Sequence, residues 1–232
     1  MLKGIDVSKW QGLMNWQKAK DAGVQFAIIR AGSIDNITGK CYEDTQFHNN
    51  VANLAPVDIP YALYWYFRPN HSAVKQAEYF LKLAGKADLG DLAVDLWCDI
   101  EVAGRADVVL SFLDLLDKSG KITGIYTNPN TILYLLIGDK SWMAIYDLWL
   151  ADYTAPASVP KPWSEWLAWQ YSSTGDGAKY GAASKGIDLN YAQDWKILPP
   201  VVSPDLEVRI KNLEDRVTAL EQSHDDSNGK GA

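Results

Sequence analysis

Eight short apolar runs are spaced along the chain, at residues 4–7, 26–31, 61–67, 93–101, 123–127, 148–151, 167–171 and 186–189, and their length is that of strands. Between the early runs lie stretches of helical pattern: 16–22 stopped by Gly23, 44–54, 72–84 stopped by Gly85, and 106–118 before Gly120. Strands alternating with helices predict parallel pairing through right-handed crossovers, and eight such strands predict closure. After Asp147 the spacing is too short for a helix in every crossover. The expected fold is α/β, an irregular TIM-like barrel of eight mostly parallel strands with fewer than eight helices.

From Pro204 the pattern changes to Leu206, Ile210, Leu213, Val217 and Leu220, a heptad seam with Ile210 and Val217 at a and the leucines at d. The chain is thus divided into a barrel domain at 1–197, a Pro-containing linker at 198–205, a short coiled-coil helix at 206–222 and a disordered polar tail at 223–232. Arg209 to Glu214 and Arg216 to Glu221 repeat one pattern, which resembles a short trimerisation motif of parallel coiled coils. A homotrimer is the expectation. The competing reading is a single helix folded back on the barrel, because little more than two heptads is marginal for a helix alone.

Composition narrows the partners. The 232 residues carry 29 acidic against 22 basic side chains, a net charge of −7, so neither nucleic acid nor an anionic membrane is an expected partner. The start lacks a basic segment followed by an apolar stretch of signal-peptide length, and no run approaches a membrane span. Cys41 and Cys98 are read as two buried free thiols.

The candidate chemistry lies at the strand ends. Asp99 and Glu101 are two residues apart on a predicted strand, so both point the same way. Two carboxylates on one face repel, which raises one pKa and prepares an acid beside an ionised partner. Their ends can lie at the ~5–5.5 Å of a retaining glycosidase pair. Asp6 and Asp188 also fall at strand ends, where each alone could be only a cap. Functional groups of such barrels gather at the C-terminal ends of the strands, so four acids are expected at one mouth. A carboxylate-only magnesium site is the chemical competitor. No histidine stands near the four in sequence, His48, His71 and His224 are read as surface or capping residues, and neither metal nor cofactor is expected. Tyr64, Tyr66, Tyr126, Trp149, Tyr153, Trp169 and Tyr171 crowd the same ends and suit sugar rings, whose C–H faces stack on aromatics. Trp65 and Phe67 alternate the other way and are assigned to the core.

These residues carry a resemblance. Gly4-Ile5-Asp6-Val7-Ser8-Lys9-Trp10-Gln11-Gly12, Tyr64-Trp65-Tyr66, Asp99-Ile100-Glu101, Tyr126-Thr127-Asn128, Trp149-Leu150-Ala151-Asp152-Tyr153, Trp169-Gln170-Tyr171 and Asp188-Leu189-Asn190 resemble, in order, the blocks of glycoside hydrolase family 25. The resemblance implies a lysozyme of the Chalaropsis type, often a phage endolysin or bacterial autolysin, that cuts the β-1,4 bond between N-acetylmuramic acid and N-acetylglucosamine of peptidoglycan. It implies Glu101 as proton donor and Asp99 as nucleophile or as the residue orienting the neighbouring N-acetyl group, with Asp6 and Asp188 tuning the pair. Many members carry a Glu-Gly after the second strand where this chain reads Arg30-Ala31-Gly32-Ser33-Ile34-Asp35-Asn36. The expected setting is a phage or prophage enzyme, released to the wall by a holin or carried on a virion. Two alternatives are a non-catalytic glycan-binding barrel attached to an assembly by its coiled coil, and a hydrolase of chitin-like polymers.

Overall fold

The computed structural model describes residues 1–193 except 88, 90, 91 and 93. The linker, coiled-coil and tail expectations, with Leu206, Ile210, Leu213, Val217 and Leu220, lie outside the described residues, as does the end of the barrel domain at 197.

In chain order the elements are β1 (Leu2–Val7), α1 (Trp16–Asp21), β2 (Phe26–Ile34), β3 (Cys41–Glu43), α2 (Phe47–Leu54), β4 (Tyr61–Tyr66), α3 (Ala73–Ala84) and β5 (Leu96–Asp99). There follow β6 (Gly104–Arg105), α4 (Ala106–Asp117), β7 (Thr123–Thr127), β8 (Leu136–Ile137), β9 (Asp147–Ala151), β10 (Ala168–Asp176) and β11 (Gly186–Ala192). Eight strands run in the order β1-β11-β10-β9-β7-β5-β4-β2, and β2 pairs with β1 to close the barrel. All eight predicted runs contribute a strand. The helices are the predicted ones with shifted ends: Asn15 and Ser72 cap α1 and α3, while α2 begins at Phe47 because the buried Asp44 instead accepts from the Lys9 and Gln46 backbone N–H groups.

The barrel strands are mostly parallel, as expected, and the structure adds detail in three places. The barrel is mixed, because β11 runs antiparallel to both β1 and β10. The run at 93–101 yields only β5, so Glu101 stands just beyond a strand end rather than within it. Short β3 forms a hairpin on β2, which the apolar pattern did not indicate. The thiols also differ: Cys98 is fully buried, whereas Cys41 is half-buried with its Sγ toward the Lys75 carbonyl, and both are free.

Period-two alternation divides each strand between two layers. Ile5, Val7, Ile29, Leu63, Trp65, Leu96, Cys98, Ile125, Leu148 and Leu150 join the layer under the helices, where Phe80 of α3 and Phe112 of α4 stack. The opposite parity fills the barrel. Phe26, Ile28, Trp97 and Trp149 form an apolar plug there, and the residues beyond them on the same faces form the functional cleft. The plug is tight enough to require glycines opposite its rings: a Cβ on Gly4 would meet the Phe26 ring at 2.3 Å, and one on Gly124 would meet Trp97 at 2.5 Å.

Candidate active site

Each of the eight barrel strands supplies a side chain to one cleft of about 460 Å³, directly or at its end. Asp6 comes from β1, Arg30 from β2, Tyr64 and Tyr66 from β4, Asp99 from β5 with Glu101 after it, Tyr126 from β7, Trp149 from β9 with Tyr153 after it, Gln170 from β10 and Asp188 from β11. The four acids predicted from sequence therefore share one mouth. Asp188 reaches it by a different route from the others, since the antiparallel β11 starts where the parallel strands end and its register sets Asp188 opposite Asp6.

A chain of fixed amide orientations holds Asp6. The Trp149 indole N–H can only donate, and it donates to Asn190 Oδ1 at 2.8 Å. That turns the Asn190 amide so that its Nδ2 donates to Asp6 Oδ2 at 2.8 Å. On the other side Gln170 Oε1 accepts from the hydroxyls of Tyr126 at 3.1 Å and Tyr153 at 2.9 Å, while its Nε2 donates to Asp6 Oδ2 at 2.9 Å. The Tyr126 hydroxyl also acts on Glu101, whose pKa it draws down, so a member of the group that holds Asp6 influences the predicted proton donor. Asp99 is buried as deeply as Asp6, but its Oδ1 has no hydrogen-bond partner.

Burial governs the ionisation of all four acids. It pushes Asp6 well above the usual carboxylate range, with Asp188 adding to the shift and the two amides opposing it. Burial and then Glu101 push Asp99 well up, against the pull of Arg30. Glu101 is raised by burial and held back by Tyr126 and Arg30. Asp188 is raised to about 6 by burial and by Glu101. A cleft of this kind retains protons at mildly acidic pH and offers an acid beside a carboxylate. Among the described residues no group of three or more His, Cys, Asp and Glu is arranged to hold a metal ion.

Tyr64, Tyr66, Tyr126, Trp149 and Tyr153 line the cleft as expected, with Tyr126 packed on Trp149 at 4.3 Å between ring centroids. Trp169 and Tyr171 do not. They have the opposite parity to Gln170 on β10 and form an outer aromatic group, with Tyr171 stacked on Tyr191 at 4.4 Å and the Trp169 indole donating to the Asp152 carbonyl. Sequence reasoning missed Gln170, Asn190, Arg30, Arg68 and the exposed rim residue Trp10. Signals existed for three: Asn190 is two residues from Asp188, Gln170 lies between two aromatics, and Arg30 is the one charge in an apolar strand.

The sequence profile described as "Glycosyl hydrolases family 25" matches residues 5–179, which takes in every site strand but β11. Lysozyme M1 of Streptomyces globisporus is 30% identical over 204 residues, covering 82% of this chain and 67% of that protein. The N,O-diacetylmuramidase of Chalaropsis sp is 24% identical over 206 residues, covering 81% of this chain and 94% of that one. Among solved structures, the bacterial lysozyme from Streptomyces coelicolor superposes with a TM-score of 0.67 at 28% identity, over 84% of this chain and 93% of that one.

Proposed function

The chain belongs to glycosyl hydrolase family 25, and on that footing we propose that it is a lysozyme, a peptidoglycan hydrolase that cuts between N-acetylmuramic acid and N-acetylglucosamine with Glu101 as the proton donor. The observation that carries the reading is the convergence of Glu101, Asp99, Asp6 and Asp188 in one aromatic-lined cleft. Glu101, raised by burial, gives its proton to the glycosidic oxygen as the bond to the leaving sugar breaks, a role that the family assigns and that the pKa shifts alone do not, because burial and Glu101 raise Asp99 as well. Asp99, with one oxygen unpartnered, faces the positive charge that develops at the sugar carbon, either bonding to that carbon or orienting the sugar's own acetamido group. Asp6 and Asp188 set the field around the pair, and the part-exposed Tyr64 with the exposed Tyr153 and Trp10 offer rings to the sugars.

The test is reducing-end release from purified peptidoglycan, with reduced products identified by mass spectrometry, for the wild type and Glu101→Gln. Muramic-acid reducing ends that fall by about 10²–10⁴-fold in the variant are expected. Release of N-acetylglucosamine ends, or none from folded wild type, would refute the assignment.

We also propose a trimer of the full chain through Leu206, Ile210, Leu213, Val217 and Leu220, supported by the heptad spacing and the repeated Arg-to-Glu pattern. Sedimentation equilibrium at a monomer mass would dismiss it.

A further inference from the structure

Three cations line this acid-rich cleft: Lys9, whose ammonium lies over the Trp10 ring, and two arginines, of which Arg30 draws down Asp99 and Glu101 from beyond ion-pair distance. Arg30 on β2 and Arg68, two residues past β4, both line it, and their guanidinium groups sit over the ring of Tyr66 at 5.2 and 5.0 Å from its centroid. Among the described residues neither forms an ion pair. Arg30 donates to the Tyr42 hydroxyl at 3.2 Å. Arg68 fixes its loop through its main chain alone, where its N–H and carbonyl both bond the Gln76 side chain at 3.0 Å. Its charge is felt by Asp35, but that carboxylate is engaged by Thr38 and Ile37. The Nε atoms of both arginines are buried without a hydrogen-bond partner.

A guanidinium held over an aromatic ring by cation–π attraction keeps a planar fork of donors that matches a carboxylate. The position is informative as well. Tyr66 is in register with Asp99 on the neighbouring strand, so the ring over which the arginines sit lies beside the reacting pair, while Arg30 on β2 also neighbours the Asp6 strand. Of the two sugars in the polymer, only muramic acid carries an acidic side arm, a lactyl ether that ends in a carboxyl group or in a peptide stem joined through it.

We propose that Arg30 and Arg68, held over the Tyr66 ring, form a carboxylate subsite that grips the acidic side arm of the muramic sugar and so selects muramoyl polymers over plain N-acetylglucosamine polymers. This rests on the muramidase reading and names what that cleft selects. The carboxylate has two possible sources, the lactyl group of a stem-free sugar or an acidic residue of the attached stem.

The experiment measures kcat/KM by reducing-end release on four polymers. These are stem-free glycan with free lactyl carboxylates, the same glycan converted to methylamides, stem-bearing glycan, and stem-bearing glycan with its carboxylates amidated. The wild type should prefer the acidic form of at least one pair by about tenfold or more, mainly through KM, as expected of charge-assisted hydrogen bonds. Arg68→Gln and Arg30→Gln should bring that ratio close to one, with Arg68→Lys intermediate because it keeps the charge and loses the fork. The pair that shows the preference identifies the source. A wild-type ratio near one for both pairs, or a preference that survives in both glutamine variants, would overturn the subsite while leaving the muramidase standing. Absence of cleavage of all four polymers by the wild type would overturn both. Because the Arg68 side chain is not used to hold its loop, Arg68→Gln remains informative even if Arg30→Gln fails to fold.

Discussion

Gln170 on β10 donates its amide to Asp6 on β1 at 2.9 Å, across 164 positions of sequence, and the same amide accepts from two tyrosine hydroxyls. A glutamine is well suited to this place because it is donor and acceptor at once. Gln170→Met would leave Asp6 with the Asn190 amide alone and both tyrosine hydroxyls without that acceptor. We expect a stability loss of about 1–3 kcal/mol from the unsatisfied buried groups. Gln170→Glu restores the acceptor but sets a second carboxylate against Asp6, so its loss should grow from pH 5 to pH 8, whereas that of Gln170→Met should change less. Urea unfolding at the two pH values measures both, and equal pH behaviour of the variants would refute the role.

The raised acids of the cleft tie stability to pH with a definite sign. A carboxylate whose folded pKa is raised binds its proton more tightly in the folded chain. The stability this supplies is complete below the unfolded pKa and is lost as pH rises through the folded one. For Asp188 the window runs from the ordinary 3.8 to about 6. The exposed Asp35, Asp107 and Asp139 are held below 3.8, so their contribution has the opposite slope and acts only in stronger acid. Asp188→Asn should therefore flatten the fall in melting temperature between pH 4 and pH 6 and melt above the wild type at pH 7. A variant whose pH profile of melting temperature parallels that of the wild type would contradict the assignment.

The barrel was readable because alternation works one residue at a time. Asp99 and Glu101 share parity with Trp97, and Trp65 and Phe67 go under the helices while Tyr64 and Tyr66 face the cleft. Aromatic character does not reveal which layer a strand residue faces, so Trp169 and Tyr171 were assigned to the cleft when the polar Gln170 between them was the inward residue. Strand direction was equally hidden. Residues 186–189 read alike in either sense, and only pairing with both β1 and β10 makes β11 antiparallel. Arg68 lies outside any strand pattern, and its place depends on a loop held by Gln76 of α3.

The plug beneath the cleft gives a packing prediction. A Cβ on Gly124 would fall 2.5 Å from the fully buried Trp97 ring and 3.1 Å from the Asp147 carbonyl, so either the ring or the strand pair must shift. Gly124→Ala should cost about 1–3 kcal/mol as an overpacked core position. Gly186→Ala is the control, because its nearest neighbour to a new Cβ is 3.9 Å away. Urea midpoints that do not separate the two variants would contradict the packing account.

The Tyr126 hydroxyl, which donates to Gln170, also draws down the Glu101 pKa and provides a direct test of what sets the acid. Its influence favours the ionised form of Glu101 and so opposes the rise that burial imposes. Tyr126→Phe removes that opposition while keeping the ring that packs on Trp149 at 4.3 Å. Arg30, the other group that holds Glu101 down, is unchanged, as are Asp99, Asp6 and Asp188. Glu101 should then keep its proton to higher pH. If it is the general acid, its deprotonation defines the alkaline limb of kcat/KM, and that limb should move to higher pH in Tyr126→Phe. An alkaline limb that stays in place, with the fold intact by circular dichroism, would mean that Tyr126 does not govern the acid; a shift to lower pH would mean that the hydroxyl stabilises the protonated form instead.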